Sequence, residues 1–228
     1  MSNSNGSMTV FLLSIRGTLS PASLEEARKV HNMTAGDPKG VEAAKSLGDL
    51  SHMVHVPTSK PESGTGEFLI LDQWNNLDGL NQFFANPHVQ EQAGQIFSDR
   101  DPVVWAPATG FMDYHFPAPF GKNDRFVGVV RGTVKSHDDA RKAHNEMIAS
   151  TVNAARRAGS VSHETYFRVA APGAPEGLEF FGVDVWNDHA GMDAYYDTPG
   201  LMEQLGNLFT GMPDATTWVR PAGDWVEW

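Results

Sequence analysis

At 228 residues the chain can hold one large domain or two small ones, and its 40% hydrophobic and 20% charged content is that of a globular protein. The absence of cysteine excludes disulfides, thiolate nucleophiles and Cys-ligated zinc or iron–sulfur centres, and it fits a cytoplasmic protein. A formal net charge of -11 without any dense Lys/Arg cluster argues against a nucleic-acid partner, and no apolar run is long enough to span a bilayer.

Residues 1–7 are polar, lack the pattern of a secretory signal and read as a disordered leader. Residues 10–16 form an apolar, partly β-branched first strand that ends in Arg16-Gly17-Thr18. A first helix follows from about Ser23, with Ser20 or Ser23 as N-cap and Glu25 and Glu26 in the first turn, where the helix dipole favours acids. Gly36-Asp37-Pro38 should interrupt it. Strands at 52–56 and 67–74 form a hairpin around a turn at 58–65 that is rich in Ser, Gly and Pro. A second helix at 77–97, broken at Pro87, and a last strand containing Trp105 complete the unit. The same order then returns. Val130-Arg131-Gly132-Thr133 repeats Ile15-Arg16-Gly17-Thr18, and Ala140-Arg141-Lys142-Ala143-His144-Asn145 repeats Ala27-Arg28-Lys29-Val30-His31-Asn32. Ser162-His163 repeats Ser51-His52, and Val183-Asp184-Val185-Trp186-Asn187 repeats Leu71-Asp72-Gln73-Trp74-Asn75. Blocks in one order at nearly equal spacing point to a tandem duplication. The division is a first ferredoxin-like repeat at 8–116, a turn-rich linker at 117–124 and a second repeat at 125–228. Each reads as βαββαβ, an α+β unit whose sheet has helices on one face and leaves the other bare. Two such sheets in one chain can bury their bare faces against each other as an intramolecular α/β barrel, which predicts a monomer or weak homodimer.

Asp72-Gln73-Trp74, the helix Gly79-Leu80-Asn81-Gln82-Phe83-Phe84 and Asn86-Pro87-His88-Val89 carry a resemblance to a known family. Their counterparts are Asp184-Val185-Trp186, Gly191-Met192-Asp193-Ala194-Tyr195-Tyr196 and Thr198-Pro199-Gly200-Leu201. Both sets resemble the dimeric α/β-barrel superfamily, in particular antibiotic-biosynthesis-monooxygenase-like and stress-responsive barrel proteins. The resemblance implies a ligand cavity between the two sheets. It implies three alternative functions: a small-molecule enzyme acting by oxygenation, cyclisation or isomerisation on an aromatic or polyketide-like substrate, a binding or stress-associated barrel without catalysis, or a haem protein. It implies a role for Trp74 and Trp186 at the ends of the third strands, and for His88 at the start of the last helix, where the second copy has Gly200. The Asn that the monooxygenase group carries on its first strand has no counterpart at 12–16 or 127–131.

If the hairpin turn centres near residue 62, His52 lies opposite Asp72, and His163 close to opposite Asp184. A His–Asp pair in an enclosed site can serve as general base, with the carboxylate fixing the tautomer. His52, Asp72, His163, Asp184 and His88 are therefore the candidate catalytic residues, and the pairs should point into the barrel. Trp74 and Trp186 share a face with the two aspartates and could position an aromatic ring. Arg16 and Arg131 could anchor a carboxylate or phenolate, or else form surface ion pairs. His31 and His144 lie on a helix expected to pack outside the sheet, away from the cavity, so capping or packing is their expected role. No metal-ligand spacing is present. The expected partner is a small aromatic or apolar molecule with no cofactor, haem being the alternative.

Overall fold

The first half runs β1 (Phe11–Leu19), α1 (Leu24–Met33), α2 (Pro38–Ser46), β2 (Asp49–Pro57), β3 (Glu67–Trp74), α3 (Leu77–Phe84), α4 (Pro87–Ile96) and β4 (Phe97–Pro107). After a two-residue strand β5 (Tyr114–His115) the second half runs β6 (Phe126–Thr133), α5 (His137–Arg157), β7 (Ser160–Arg168), β8 (Glu179–Trp186), α6 (His189–Tyr196), α7 (Leu201–Gly206) and β9 (Asp214–Val219). This computed structural model describes residues 9–59, 66–117, 125–171, 173–174 and 177–228. The expected leader, most of the linker and much of the first hairpin turn lie outside the described residues. None of the described helices is long and apolar enough to cross a membrane.

Local chemistry sets the helix ends. Ser23, rather than Ser20, caps α1 by accepting from the Glu26 N–H, and Ser136 caps α5 by accepting from the Asp139 N–H. Asp37 caps α2 with Pro38 in its first turn, which is the expected interruption; α5 has no such signal and runs unbroken for 21 residues. The second helix is split in both halves, at Asn86-Pro87 and at 197–200, and Phe97 begins a strand rather than ending a helix. Gly48 and Gly159 start the turns into β2 and β7 with φ of 107° and 94°, a backbone region that suits glycine.

The strands join into one nine-stranded sheet in the order β4-β1-β3-β2-β9-β6-β8-β7-β5, and an additional β4–β7 pairing closes it into a barrel. The two seams are β2–β9, where Val56 pairs with Val219, and β4–β7, where Trp105 pairs with Arg168. This is the double ferredoxin-like barrel read from the sequence. Alternation along each strand sends one set of side chains inward and the other toward the helices. Leu12, Leu69, Leu71, Val129, Phe181 and Trp218 fill the inside, and Trp105 stacks on Phe181 with ring centroids 4.7 Å apart. Each such Val, Leu or Phe contributes roughly 1.5–3 kcal/mol when withdrawn from water.

The cavity expected between the sheets is therefore absent among the described residues: apolar side chains occupy that space and leave about 40 Å³ near Arg16 and Arg131. The cavities lie instead on the other face of each sheet, under the helices. One of about 470 Å³ sits in the first half and one of about 240 Å³ in the second. Each half is also roofed by the other's tail. Residues 108–116, beyond β4, lie against α5 and β7, and residues 224–228, beyond β9, lie against α1 and β2.

Candidate functional site

His52 and Asp72 are Cα partners on β2 and β3, as are His163 and Asp184 on β7 and β8. The ring Nδ1 of His52 is 2.7 Å from Asp72 Oδ1, and that of His163 is 2.6 Å from Asp184 Oδ1. The expected pairs thus form, but they point toward the helices rather than into the barrel. This follows from register: Asp72 alternates with Leu71, which faces the barrel interior, and so shares the outer face with Phe68, Ile70 and Trp74.

Because the site lies under the helices, His31 and His144 belong to it, contrary to the expectation that they stand apart. His31 Nε2 is 2.9 Å from His52 Nε2, and His144 Nε2 is 2.8 Å from His163 Nε2. Each half carries the same chain of groups, Asn–His–His–Asp, and the asparagine fixes its protons. Asn32 Nδ2 donates to the Asp224 carbonyl at 2.7 Å, while its Oδ1 accepts from the Val226 N–H at 2.9 Å. Its oxygen therefore faces His31, so His31 Nδ1, 3.1 Å away, must carry a hydrogen. Burial, and then the neighbouring His52, push His31 down to about 4, so the ring is neutral and Nε2 is an acceptor. His52 must then donate through Nε2. Burial alone would lower His52, but the Asp72 carboxylate outweighs it and holds the ring above its ordinary value. His52 is accordingly an imidazolium that donates to His31 on one side and to Asp72 on the other. The second half repeats the arrangement. Asn145 donates to the Gly110 carbonyl at 3.0 Å and accepts from the Met112 N–H at 2.8 Å, and His144 is pushed down to about 4 by burial and then by His163.

In this arrangement the histidines are held between other side chains of the protein. With both ring nitrogens engaged inside the protein, neither His52 nor His163 can take a proton from a ligand. The group that can is the carboxylate, through its second oxygen, and here the halves differ. Asp184 Oδ2 accepts from the Tyr196 hydroxyl at 2.7 Å, and that hydroxyl also receives the Trp186 Nε1–H at 3.2 Å. In the first half Phe84 ends α3 where Tyr196 ends α6, and Leu13 takes the strand position of Gly128 opposite the aspartate. A Cβ on Gly128 would lie 2.0 Å from the Tyr196 hydroxyl oxygen, so glycine and tyrosine go together, as do leucine and phenylalanine. The result is that Asp72 Oδ2 has no hydrogen bond among the described residues and Trp74 Nε1 is buried without a partner.

The larger cavity opens beside this free carboxylate. His52, Asp72, Trp74 and Phe84 line it, and Trp228, whose ring stacks on His52 with centroids 4.7 Å apart, closes one side. Two further buried polar atoms on its wall, Trp228 Nε1 and Asp49 Oδ1, make no hydrogen bond of normal geometry, although the indole and the carboxyl are neighbours. Sequence reasoning missed Asp49, Tyr196 and Trp228; Asp49 falls opposite Trp74 only because a bulge shifts the β2–β3 register.

The remaining candidates sit as follows. His88 is exposed in the first turn of α4, on the rim of the cavity, with Nδ1 4.0 Å from Glu91. Trp186 packs against Tyr195 and Tyr196 beneath the smaller cavity. Arg16 pairs with Glu67 and Asp214, and Arg131 with Glu179 and Asp101, at the barrel opening, so each holds two carboxylates of the protein and neither borders the helix-side cavities. The four histidines of the two Asn–His–His–Asp chains do not fit a haem ligand, because His31, His52, His144 and His163 have every ring nitrogen hydrogen-bonded within the protein.

No family model matches the chain, and no curated protein does either. Solved structures do. An anthrone oxidase-like protein superposes with a TM-score of 0.61 at 15% identity, over 97% of this chain and 94% of its own. A protein from Lactobacillus acidophilus NCFM provisionally named a monooxygenase gives 0.59 at 14% identity, over 93% of this chain and 94% of its own. A mutant chlorite dismutase from Candidatus Nitrospira defluvii gives 0.55 at 10% identity, over 95% of this chain and 92% of its own. At such identities the likeness establishes the fold. That fold is a double ferredoxin-like α/β barrel with both halves in one chain.

Proposed function

We propose that the chain is a monooxygenase-like enzyme whose active site is the first-half cavity and whose substrate class is a hydroxylated aromatic ketone or its enol. The observation that carries this is the free oxygen of Asp72 on the wall of a cavity lined mainly by apolar side chains, beside the Trp74 indole N–H, which has no partner among the described residues. A buried polar group left unpaired costs about 1–3 kcal/mol, and a ligand that pairs it recovers that cost. A flat aromatic molecule with one hydroxyl to donate and one oxygen to accept fits that demand. The structural neighbours, an anthrone oxidase-like protein among them, point the same way.

The chemistry follows from the proton inventory. Asp72 Oδ2 accepts the substrate hydroxyl proton and leaves an enolate. The imidazolium of His52 lies one hydrogen bond behind, so the negative charge moves from carboxylate to substrate while the buried cation stays balanced. The enolate carbon, still bearing a hydrogen, forms a bond to dioxygen and gives a peroxide, which takes up a proton. The carbon then loses its hydrogen as a proton, a C=O bond forms, the O–O bond breaks, and hydroxide leaves as water after one more proton. Two protons leave the substrate and two reach oxygen. A methylene becomes a carbonyl, and its four electrons pass to dioxygen, with one oxygen atom in the product and one in water. Oxygen-electrode assays of the purified protein with a panel of anthrone-type substrates, under isotopically labelled dioxygen, test this. Uptake with one labelled atom in the quinone is the expected result. Saturable binding without uptake would make the chain a binding protein instead.

A further inference from the structure

We propose that the protonated carboxyl of Asp49 is the proton donor of the first-half cavity, serving the ligand oxygen that becomes negatively charged. This rests on the reading of the cavity as the active site and assigns its second acid–base group. Asp49 begins β2, pairs with Trp74 across β3, and lines the cavity together with His52 and Asp72. It is 5% exposed, and its Oδ1 makes no hydrogen bond of normal geometry, the Trp228 indole and the Ser51 backbone being its polar neighbours. A carboxyl buried this deeply beside another carboxylate is costly to ionise.

Two carboxyls on one wall are sorted by their neighbours. Asp72 is hydrogen-bonded to the His52 imidazolium, which stabilises its charge. Asp49 has no such bond; burial, then the charge of Asp72, push it up to about 7. A buried carboxyl raised in this way beside a hydrogen-bonded carboxylate suits the donor's part in proton transfer. The second half has no equivalent. Ser160 stands where Asp49 does, opposite Trp186, and its hydroxyl is tied to the Tyr114 hydroxyl at 2.9 Å. In the proposed reaction the Asp49 O–H bond breaks as an O–H bond forms on the peroxide. The proton released from the substrate carbon then restores Asp49, and the proton held by Asp72 completes the water.

The groups that act on Asp49 are Asp72 from β3, which raises it, and His52 and the Ser51 backbone from β2 with the Trp228 indole on the tail side, which lower it less. Across the cavity stand Asp37 and Lys39 of the α2 N-terminal turn and His88 of α4, and Lys45 lies 5.4 Å over the Trp228 ring. The test compares wild type, Asp49→Asn and Asp49→Glu, with naphthoquinone as a neutral acceptor ligand; a chain without cysteine offers it no thiol to alkylate. By calorimetry, wild-type affinity should fall several-fold between about pH 6 and about pH 8 as the donor is lost. Asp49→Asn should bind without that pH dependence, and Asp49→Glu should restore it. In oxygen uptake, Asp49→Asn should lower kcat by about a hundredfold or more with little change in KM. Binding that does not depend on pH in wild type, or the same dependence in Asp49→Asn, overturns the assignment, as does a failure of the quinone to bind. If binding behaves as expected but no oxygen is consumed, the oxidation reading falls and the donor assignment stands.

Discussion

The two halves of the barrel carry one relay in opposite states of closure. Asn32–His31–His52–Asp72 and Asn145–His144–His163–Asp184 match link for link. In the second half the relay ends in a phenol of the protein, Tyr196, and the carboxylate is satisfied. In the first it ends in a free oxygen beside a cavity of about 470 Å³. The histidine chain alone therefore does not define a catalytic site. What the carboxylate meets beyond it differs between the halves through two substitutions, Leu13 for Gly128 and Phe84 for Tyr196.

The strongest way to sharpen the contrast is to move the cap. A Leu13→Gly/Phe84→Tyr double variant should place a phenol on Asp72 and lower oxygen uptake about a hundredfold or more, with an unchanged circular-dichroism spectrum. Unaltered turnover would break the link between the free carboxylate and activity. Removing the second-half cap has a different signature. Tyr196→Phe leaves Asp184 Oδ2 and Trp186 Nε1 unpaired and should cost about 1–3 kcal/mol in urea unfolding while sparing turnover.

Acid should strain both relays. His31 and His144 are held at about 4, below the ordinary histidine value of about 6.5. A group whose folded value is lowered contributes stability that is complete above its unfolded value and is lost as pH falls through the folded one. Their contribution should therefore decline between about pH 6.5 and about pH 4, and His144→Gln should flatten the fall of the urea midpoint across that window. The smallest effect belongs to the barrel opening. Arg16 side-chain exposure is 35%, and each of its ion pairs is worth about 0–1 kcal/mol, so Arg16→Ala should change stability little, more in low salt than in high, and leave turnover alone.

Much of this was legible in the chain. Repeated blocks and period-two strands announced the double ferredoxin-like fold, and the hairpin count placed His52 against Asp72. Which face that pair occupies was not legible, because Leu69–Ile70–Leu71 is apolar on both sides, as a strand buried between a barrel interior and a helix layer must be. The expectation of an interfacial cavity then carried His31 and His144 out of the site. Asp49 was hidden by a one-residue bulge, and the tails that orient Asn32 and Asn145 approach from 192 and 35 residues away in sequence, beyond any local pattern. The Phe84/Tyr196 difference was visible in the repeat alignment, but its meaning required the hydroxyl to be seen on Asp184.

The most direct test of the asymmetry is oxygen uptake by Asp72→Asn and Asp184→Asn side by side, on an anthrone-type substrate that wild type oxidises. Asp72→Asn should abolish turnover, and Asp184→Asn should retain it within about twofold, since the second oxygen of Asp184 is already held by Tyr196 while that of Asp72 is not. Equal losses in both variants, or loss confined to Asp184→Asn, would contradict the assignment of the active site to the first half.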